Sequence, residues 1–135
     1  MNQARLAVAA PALHATSFAD RDPGTAFPTA TMIRFDRKDT LQHRFARTLT
    51  RRDVDPPTHF VPGTAAFTEA VRLGLGWGLL PEAVARPDVA AGRLVELAPG
   101  RHLDVPLYWQ FWRLESAALA ALTTAVRDAA RTALR

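Results

Sequence analysis

The sequence predicts an α/β fold built on a mainly parallel sheet. Three observations predict it. Short apolar runs of strand length alternate with segments of ten to fifteen residues that carry a helical apolar stripe, the pattern of βαβ units. Proline and glycine punctuate almost every junction between them. The chain has 135 residues, 48% hydrophobic and 22% charged, which suits one globular domain or one lobe of a two-lobed protein.

Residues 5–10 are apolar enough for a buried strand, and Pro11 opens a helix to about residue 19. Arg21-Asp22-Pro23-Gly24 has turn chemistry, and Pro28 keeps the next stretch extended. Residues 31–35 form a second strand, with Asp36 at the N-cap of a helix carrying Leu41, Phe45 and Leu49 on one face. A polar loop over 51–57 leads to a strand at 58–61. Pro62-Gly63-Thr64 turns into a helix with Phe67, Val71 and Leu75 inward, ended by Gly74. A buried strand over 76–80 stops at Pro81, a short helix covers 82–91, and a strand covers 93–97. Residues 105–113 hold Tyr108, Trp109, Phe111 and Trp112 and read as a strand covered on both faces. Ser116 caps a last helix, whose inner stripe is Leu119, Leu122, Val126 and Ala130 or Ala133.

Composition and spacing exclude several chemistries. There is no cysteine, so disulfides, thiolate metal sites and cysteine nucleophiles are ruled out. Ser17 and Ser116 are the only serines, and neither lies in a nucleophile elbow. His14, His43, His59 and His102 fall in no zinc spacing, so no metal is expected. The glycines of Leu73-Gly74-Leu75-Gly76-Trp77-Gly78 follow a helix and open a strand, the reverse of a dinucleotide loop. They instead end the helix and let it lie close over a strand. No cofactor and no catalysis are expected. The net charge of +4 comes from one lysine and sixteen arginines spread along the chain, more a mixed solvated surface than a DNA-binding face. No segment is apolar enough to span a bilayer and no secretory signal is visible, so the sequence reads as cytoplasmic and free of membrane contact.

What remains is a ligand site beyond the carboxyl ends of the strands. Those ends are Phe35-Asp36, Pro62-Gly63-Thr64 and Leu80-Pro81-Glu82. Thr64 opens a helix, so its hydroxyl and the free backbone N–H groups suit a carboxylate, although the hydroxyl could equally cap its own helix. Asp36 could meet a cationic group or pair with Asp39 in a cap. Glu82 stands at a helix start, where an acid is favoured anyway. The expected ligand-binding residues are therefore Thr64, Gly63, Asp36, Phe35 and Glu82.

The run Phe67-Thr68-Glu69-Ala70-Val71-Arg72-Leu73-Gly74-Leu75-Gly76-Trp77-Gly78-Leu79-Leu80-Pro81 resembles a stretch typical of LysR-type effector domains, where a helix ends in Gly-x-Gly before a short apolar strand. The segments at 34–41 and 97–109 are similar to those of the ArgP/LysG branch of that family, and the resemblance covers essentially the whole chain. Pro62-Gly63-Thr64-Ala65-Ala66-Phe67 stands where that branch tends to carry a Ser-Ser-Glu-Ala-Phe type run, keeping the hydroxyl but not the acid.

The resemblance implies a periplasmic-binding-protein-like (type II) effector domain. Residues 1–98 would be its second lobe and 99–104 a crossover, with 105–135 a strand and helix returning to the first lobe. It also implies an amino-acid effector, lysine or arginine, with control of its export. Homo-oligomers are expected, with DNA contact only through an N-terminal winged helix-turn-helix that these residues do not include. A solute-binding lobe of a transport system, or a non-functional truncated gene product, is the alternative.

Overall fold

The computed structural model of the chain describes residues 1–110 and 116–135. In order, the elements are β1 (Asn2–Ala9), α1 (Pro11–Ser17), α2 (Pro23–Ala26), β2 (Met32–Arg34), α3 (Leu41–Thr50) and β3 (Thr58–Phe60). They continue with α4 (Thr64–Arg72), β4 (Gly78–Pro81), α5 (Glu82–Ala90), β5 (Val95–Glu96), β6 (Leu103–Pro106) and α6 (Ala117–Ala133). The chain divides into two compact units. One is Arg5–Leu103, and the other joins Met1–Ala4 to Asp104–Arg135.

In Arg5–Leu103, β1 pairs antiparallel with β4, register Arg5 with Pro81 to Val8 with Gly78, and antiparallel with β5. β2 and β3 pair in parallel, and a parallel bridge from Met32 to Trp77 links β2 to the start of β4. The sheet is thus mixed and not mainly parallel as the alternation of elements predicts. Periodicity reports which face a residue occupies, not strand direction, so the reversed β1 is invisible to it.

The side chains of this sheet divide by parity into two cores. Ala7, Ala9, Met32 and Leu79 face Phe27, Phe45 and Trp77 on one side. Leu6, Val8, Ile33 and Leu80 face Phe67, Val71 and Ala85 on the other. Helix α3 therefore covers one face and α4 with α5 the other, a three-layer α/β/α arrangement.

Two glycines make the layers fit. A Cβ on Gly78 would stand 2.9 Å from the Phe67 ring, so α4 packs directly onto β4. A Cβ on Gly76 would lie 2.8 Å from Ile33 Cγ1 and 3.0 Å from the Thr31 carbonyl, so this glycine admits the neighbouring strand and not a helix. Gly74 ends α4 at φ 82°, as the sequence predicts. Leu75 is exposed and does not join the inner face.

Further local differences have physical reasons. Residues 23–26 form a helical turn that continues as turn and not as extended chain, with Pro23 in its first turn. It sinks Phe27 fully into the core, its ring 4.7 Å from that of Trp77. Asp36 is not the N-cap of α3, which starts later, with Thr40 in that position. The Asp36 carboxylate instead accepts the N–H groups of Lys38 and Asp39 at 2.8 and 3.0 Å, closing a turn within the loop.

In the second unit, β6 pairs with β1, and Leu107 N–H donates to the Met1 carbonyl at 2.8 Å. The predicted strand over 105–113 is cut short: β6 ends at Pro106 and residues 107–110 have no regular structure, while 111–113 lie outside the described residues. Ser116 caps α6 by accepting the Leu119 N–H at 3.3 Å, as its position predicts. The inner stripe runs through Leu119, Thr123, Val126 and Ala130, leaving Leu122 half exposed. Thr123 displaces Leu122 because its hydroxyl accepts the Trp109 indole N–H at 3.2 Å.

Candidate functional site

A cleft of about 260 Å³ opens within Arg5–Leu103 among β1, the loop after β2, the first turns of α3 and α4, and β4. Arg5 enters it from β1, and Phe35 and Asp39 from the loop after β2. Leu41 and Gln42 come from the first turn of α3, and Thr64, Phe67 and Thr68 from α4. Leu79, Leu80 and Pro81 of β4 form its floor.

The strand-end rule thus located the cleft, since each of the three expected groups sends a residue to it. Of the five expected binding residues, Phe35 and Thr64 line the cleft, whereas Gly63, Asp36 and Glu82 are not among its lining. Gly63 shapes the site through its backbone. At φ 128° it redirects the chain, and its carbonyl accepts the Phe67 N–H at 2.8 Å to start α4. Asp36 is engaged in its own turn. Glu82 pairs with Arg86 one turn on, at 3.3 Å. Neither acid is placed to meet a ligand in this cleft.

Four polar lining residues were missed by sequence reasoning: Arg5, Asp39, Gln42 and Thr68. Asp39 is fixed by local hydrogen bonds, its two carboxylate oxygens accepting the N–H groups of Phe35 at 2.9 Å and Leu41 at 3.0 Å. Arg34 staples the same loop, donating from its guanidinium to the carbonyls of Asp39 and Arg37, both at 2.8 Å. Arg5 is half-buried, and its buried Nε has no hydrogen-bond partner. Burial pulls its pKa down, while the charge of Asp39 acts in the opposite direction. Gln42 is 1% exposed, and its side-chain carbonyl has no partner either.

A signal for two of these was present. Arg5 is a cation at the head of an apolar strand, and Gln42 lies three and four residues before the buried Phe45 and Ala46. A polar residue on a buried helical face asks for a partner. Thr64 stands at N1 of α4, directly after Gly63, which sits at the N-cap and has no side chain to cap the helix. The first N–H groups of a helix have no partner within it and carry the positive end of its dipole. That end opens on the cleft beside Thr64.

The sequence pattern that defines the LysR substrate binding domain matches residues 3–133. The chain belongs to this LysR family. Its fold is the periplasmic-binding-protein-like, type II α/β fold of that family. The lysine export transcriptional regulatory protein LysG of Corynebacterium efficiens is 48% identical over 135 aligned positions, 96% of this chain and 44% of that protein. The crystal structure of ArgP from Mycobacterium tuberculosis superposes with a TM-score of 0.90 at 40% identity, over 99% of this chain and 46% of that one. Full-length LysG from Corynebacterium glutamicum with bound effector arginine superposes with a TM-score of 0.80 at 41% identity, again over 99% of this chain and 46% of that one. The chain spans less than half the length of the curated LysG proteins it matches.

Among the described residues of this LysR-family chain, no cluster of His, Asp and Glu could hold a metal ion. No helix among them is long and apolar enough to cross a membrane.

Proposed function

We propose that the chain is the effector-sensing part of a cytoplasmic transcriptional regulator, and that its cleft binds a basic amino acid, lysine or arginine. It acts by binding and not by catalysis. DNA is met through a helix-turn-helix outside these residues, in a homo-oligomer. On this reading Arg5–Leu103 belongs to the second lobe of the effector domain and the strand and helix after it return to the first. One observation carries the reading: the chain superposes over nearly its whole length on a LysG that holds arginine, and its own cleft presents Thr64 and a helix N-terminus suited to a carboxylate. Relatives named as regulators favour this over a solute-binding lobe of a transport system.

The test is a chimera in which these 135 residues replace the matching segment of Corynebacterium glutamicum LysG. The expected outcome is transcription that responds to arginine or lysine and calorimetric affinity in the millimolar to micromolar range, roughly −4 to −8 kcal/mol. Thr64→Ala should weaken binding by about 1–2 kcal/mol through loss of one charge-assisted hydrogen bond. A chimera that folds and binds its operator, yet responds to neither amino acid, refutes the assignment.

A further inference from the structure

The charged groups of the cleft say which part of an effector it holds. Among the described residues, its lining carries one cation, Arg5, and one anion, Asp39, with no other ionised side chain. Two polar atoms there are buried without a partner in the protein, the Arg5 Nε donor and the Gln42 Oε1 acceptor. A buried polar group left unpaired is costly, so a bound group that supplies an acceptor to one and a donor to the other is favoured there. The N-terminus of α4 adds free N–H donors beside Thr64. The cleft therefore offers a cation and donors on one hand, an anion and an acceptor on the other, and is close to neutral in sum. A zwitterion matches it, whereas a second positive charge on the ligand finds no carboxylate left over, because Asp36 and Glu82 are engaged outside the lining.

We infer that this cleft recognises the zwitterionic head of a free α-amino acid, with Arg5 and Thr64 on its carboxylate and Gln42 and Asp39 on its ammonium, and does not itself read the basic side chain. Selection of lysine or arginine over neutral amino acids then resides outside Arg5–Leu103. The inference rests on the cleft being the effector site. It differs from that reading in naming Gln42 and Arg5 and in removing side-chain selectivity from this unit. Gln42 is nearly inaccessible at the start of α3, yet it is one of the residues that line the cleft.

Nuclear magnetic resonance of the ¹⁵N-labelled 135-residue chain, carrying Leu107→Lys and Tyr108→Lys so that its exposed apolar face does not draw copies together, reads even weak binding residue by residue. The probes are L-arginine, L-norleucine (lysine's carbon chain without its terminal ammonium) and agmatine, which is arginine without its carboxylate. The expected result is that arginine and norleucine both move the Thr64 and Ala65 amides, the Arg5 Nε–H and the Gln42 side-chain amide, with dissociation constants within about three-fold of each other. Agmatine should bind about ten-fold more weakly or not at all, the loss expected when a charge-assisted contact is removed. Gln42→Met, nearly isosteric, should weaken both amino acids by about five- to ten-fold. The comparison of ligands needs no substitution in the cleft and stands even where that variant fails to fold. Arginine binding without norleucine binding overturns the inference, as does agmatine binding as well as arginine. Movement of Thr64 and Ala65 with Arg5 and Gln42 unmoved overturns it too and leaves the effector-site reading standing. If none of the amino acids moves any residue of the cleft, both fall.

Discussion

Asp88 should be the most costly polar residue to remove from the Arg5–Leu103 unit. It is 3% exposed on α5, and its carboxylate accepts the Arg72 Nε at 2.7 Å and the Arg93 Nε at 2.8 Å. It thereby ties α4 to α5 and to the loop that leads into β5. Asp88→Asn keeps the volume and removes the charge, and turns an acceptor into an amide whose N–H₂ faces a guanidinium. A hydrogen bond to a charged group contributes about 1.5–3 kcal/mol. Both arginines are more than a third exposed and can turn to water, which discounts the pair to about 2–3 kcal/mol in total. With an m-value of roughly 2 kcal/mol per molar, the urea midpoint should fall by about 1–1.5 M. The pH dependence has a definite sign. The hydrogen bond from Arg93 first, opposed by burial and reinforced by Arg72, holds the Asp88 carboxyl below the usual carboxylate range. A depressed folded-state pKa means that the unfolded chain binds the proton more readily. The stabilisation is therefore complete above roughly pH 4–5 and is lost as pH falls through the folded value. The gap between wild type and Asp88→Asn should narrow on acidification below about pH 4. A midpoint that shifts by less than about 0.3 M at pH 7 refutes the reasoning.

Gly76→Ala should destabilise by about 1–3 kcal/mol in the same urea assay, because its Cβ meets Ile33 and the Thr31 carbonyl where the β2–β4 bridge allows no retreat; an unchanged midpoint would show that β2 moves aside freely. Ser116→Ala removes the cap of α6 and should cost about 1 kcal/mol, read as faster amide exchange in the first turn of that helix; exchange unchanged at Leu119 refutes it. Leu107, Tyr108 and Trp109 are exposed beside a groove of about 520 Å³ lined by Val126, Ala130 and Leu134 at the α6 end of the chain. The isolated chain should accordingly self-associate at micromolar concentration in light scattering, and a sharply defined monomer would refute that.

Much of the fold is legible in the sequence because burial is periodic. The parity of Leu6 and Val8 against Ala7 and Ala9, and of Leu79 against Leu80, separates the two cores as strand geometry requires. Gly74 and Ser116 end and begin their helices for reasons that act within four residues, so they are read correctly. The larger failures involve partners distant in sequence. Whether β1 runs parallel or antiparallel to β4 depends on pairing such as that of Val8 with Gly78, far along the chain. Leu122 yields its inward place to Thr123 because Trp109 supplies an indole N–H that helical periodicity does not include. Residues 107–110, rich in apolar side chains, look like strand to any local rule. A run of that kind becomes a strand only where a neighbouring strand offers it backbone partners, and β6 stops at Pro106.

The site divides along the same line. Its position follows from topology, since strand ends gather wherever helices cross back over a sheet, and each of the three expected groups sends a residue to the cleft. Its chemistry does not follow, because an acid near a strand end has two ways to satisfy its oxygens. Asp36 and Asp39 are three residues apart in one loop and both accept backbone N–H groups, yet only Asp39 reaches the cleft. Spacing cannot rank them; the path of the chain between β2 and α3 does. Gln42 presents the converse case. Nothing about a glutamine on a helix singles it out until its burial is known, and then an unpaired carbonyl beside the cleft marks it more than an exposed acid would. A buried polar residue of this kind is recognised by the hydrogen bond it lacks within the fold, a quantity that exists only after folding has placed Arg5, Asp39 and Gln42 around the same space.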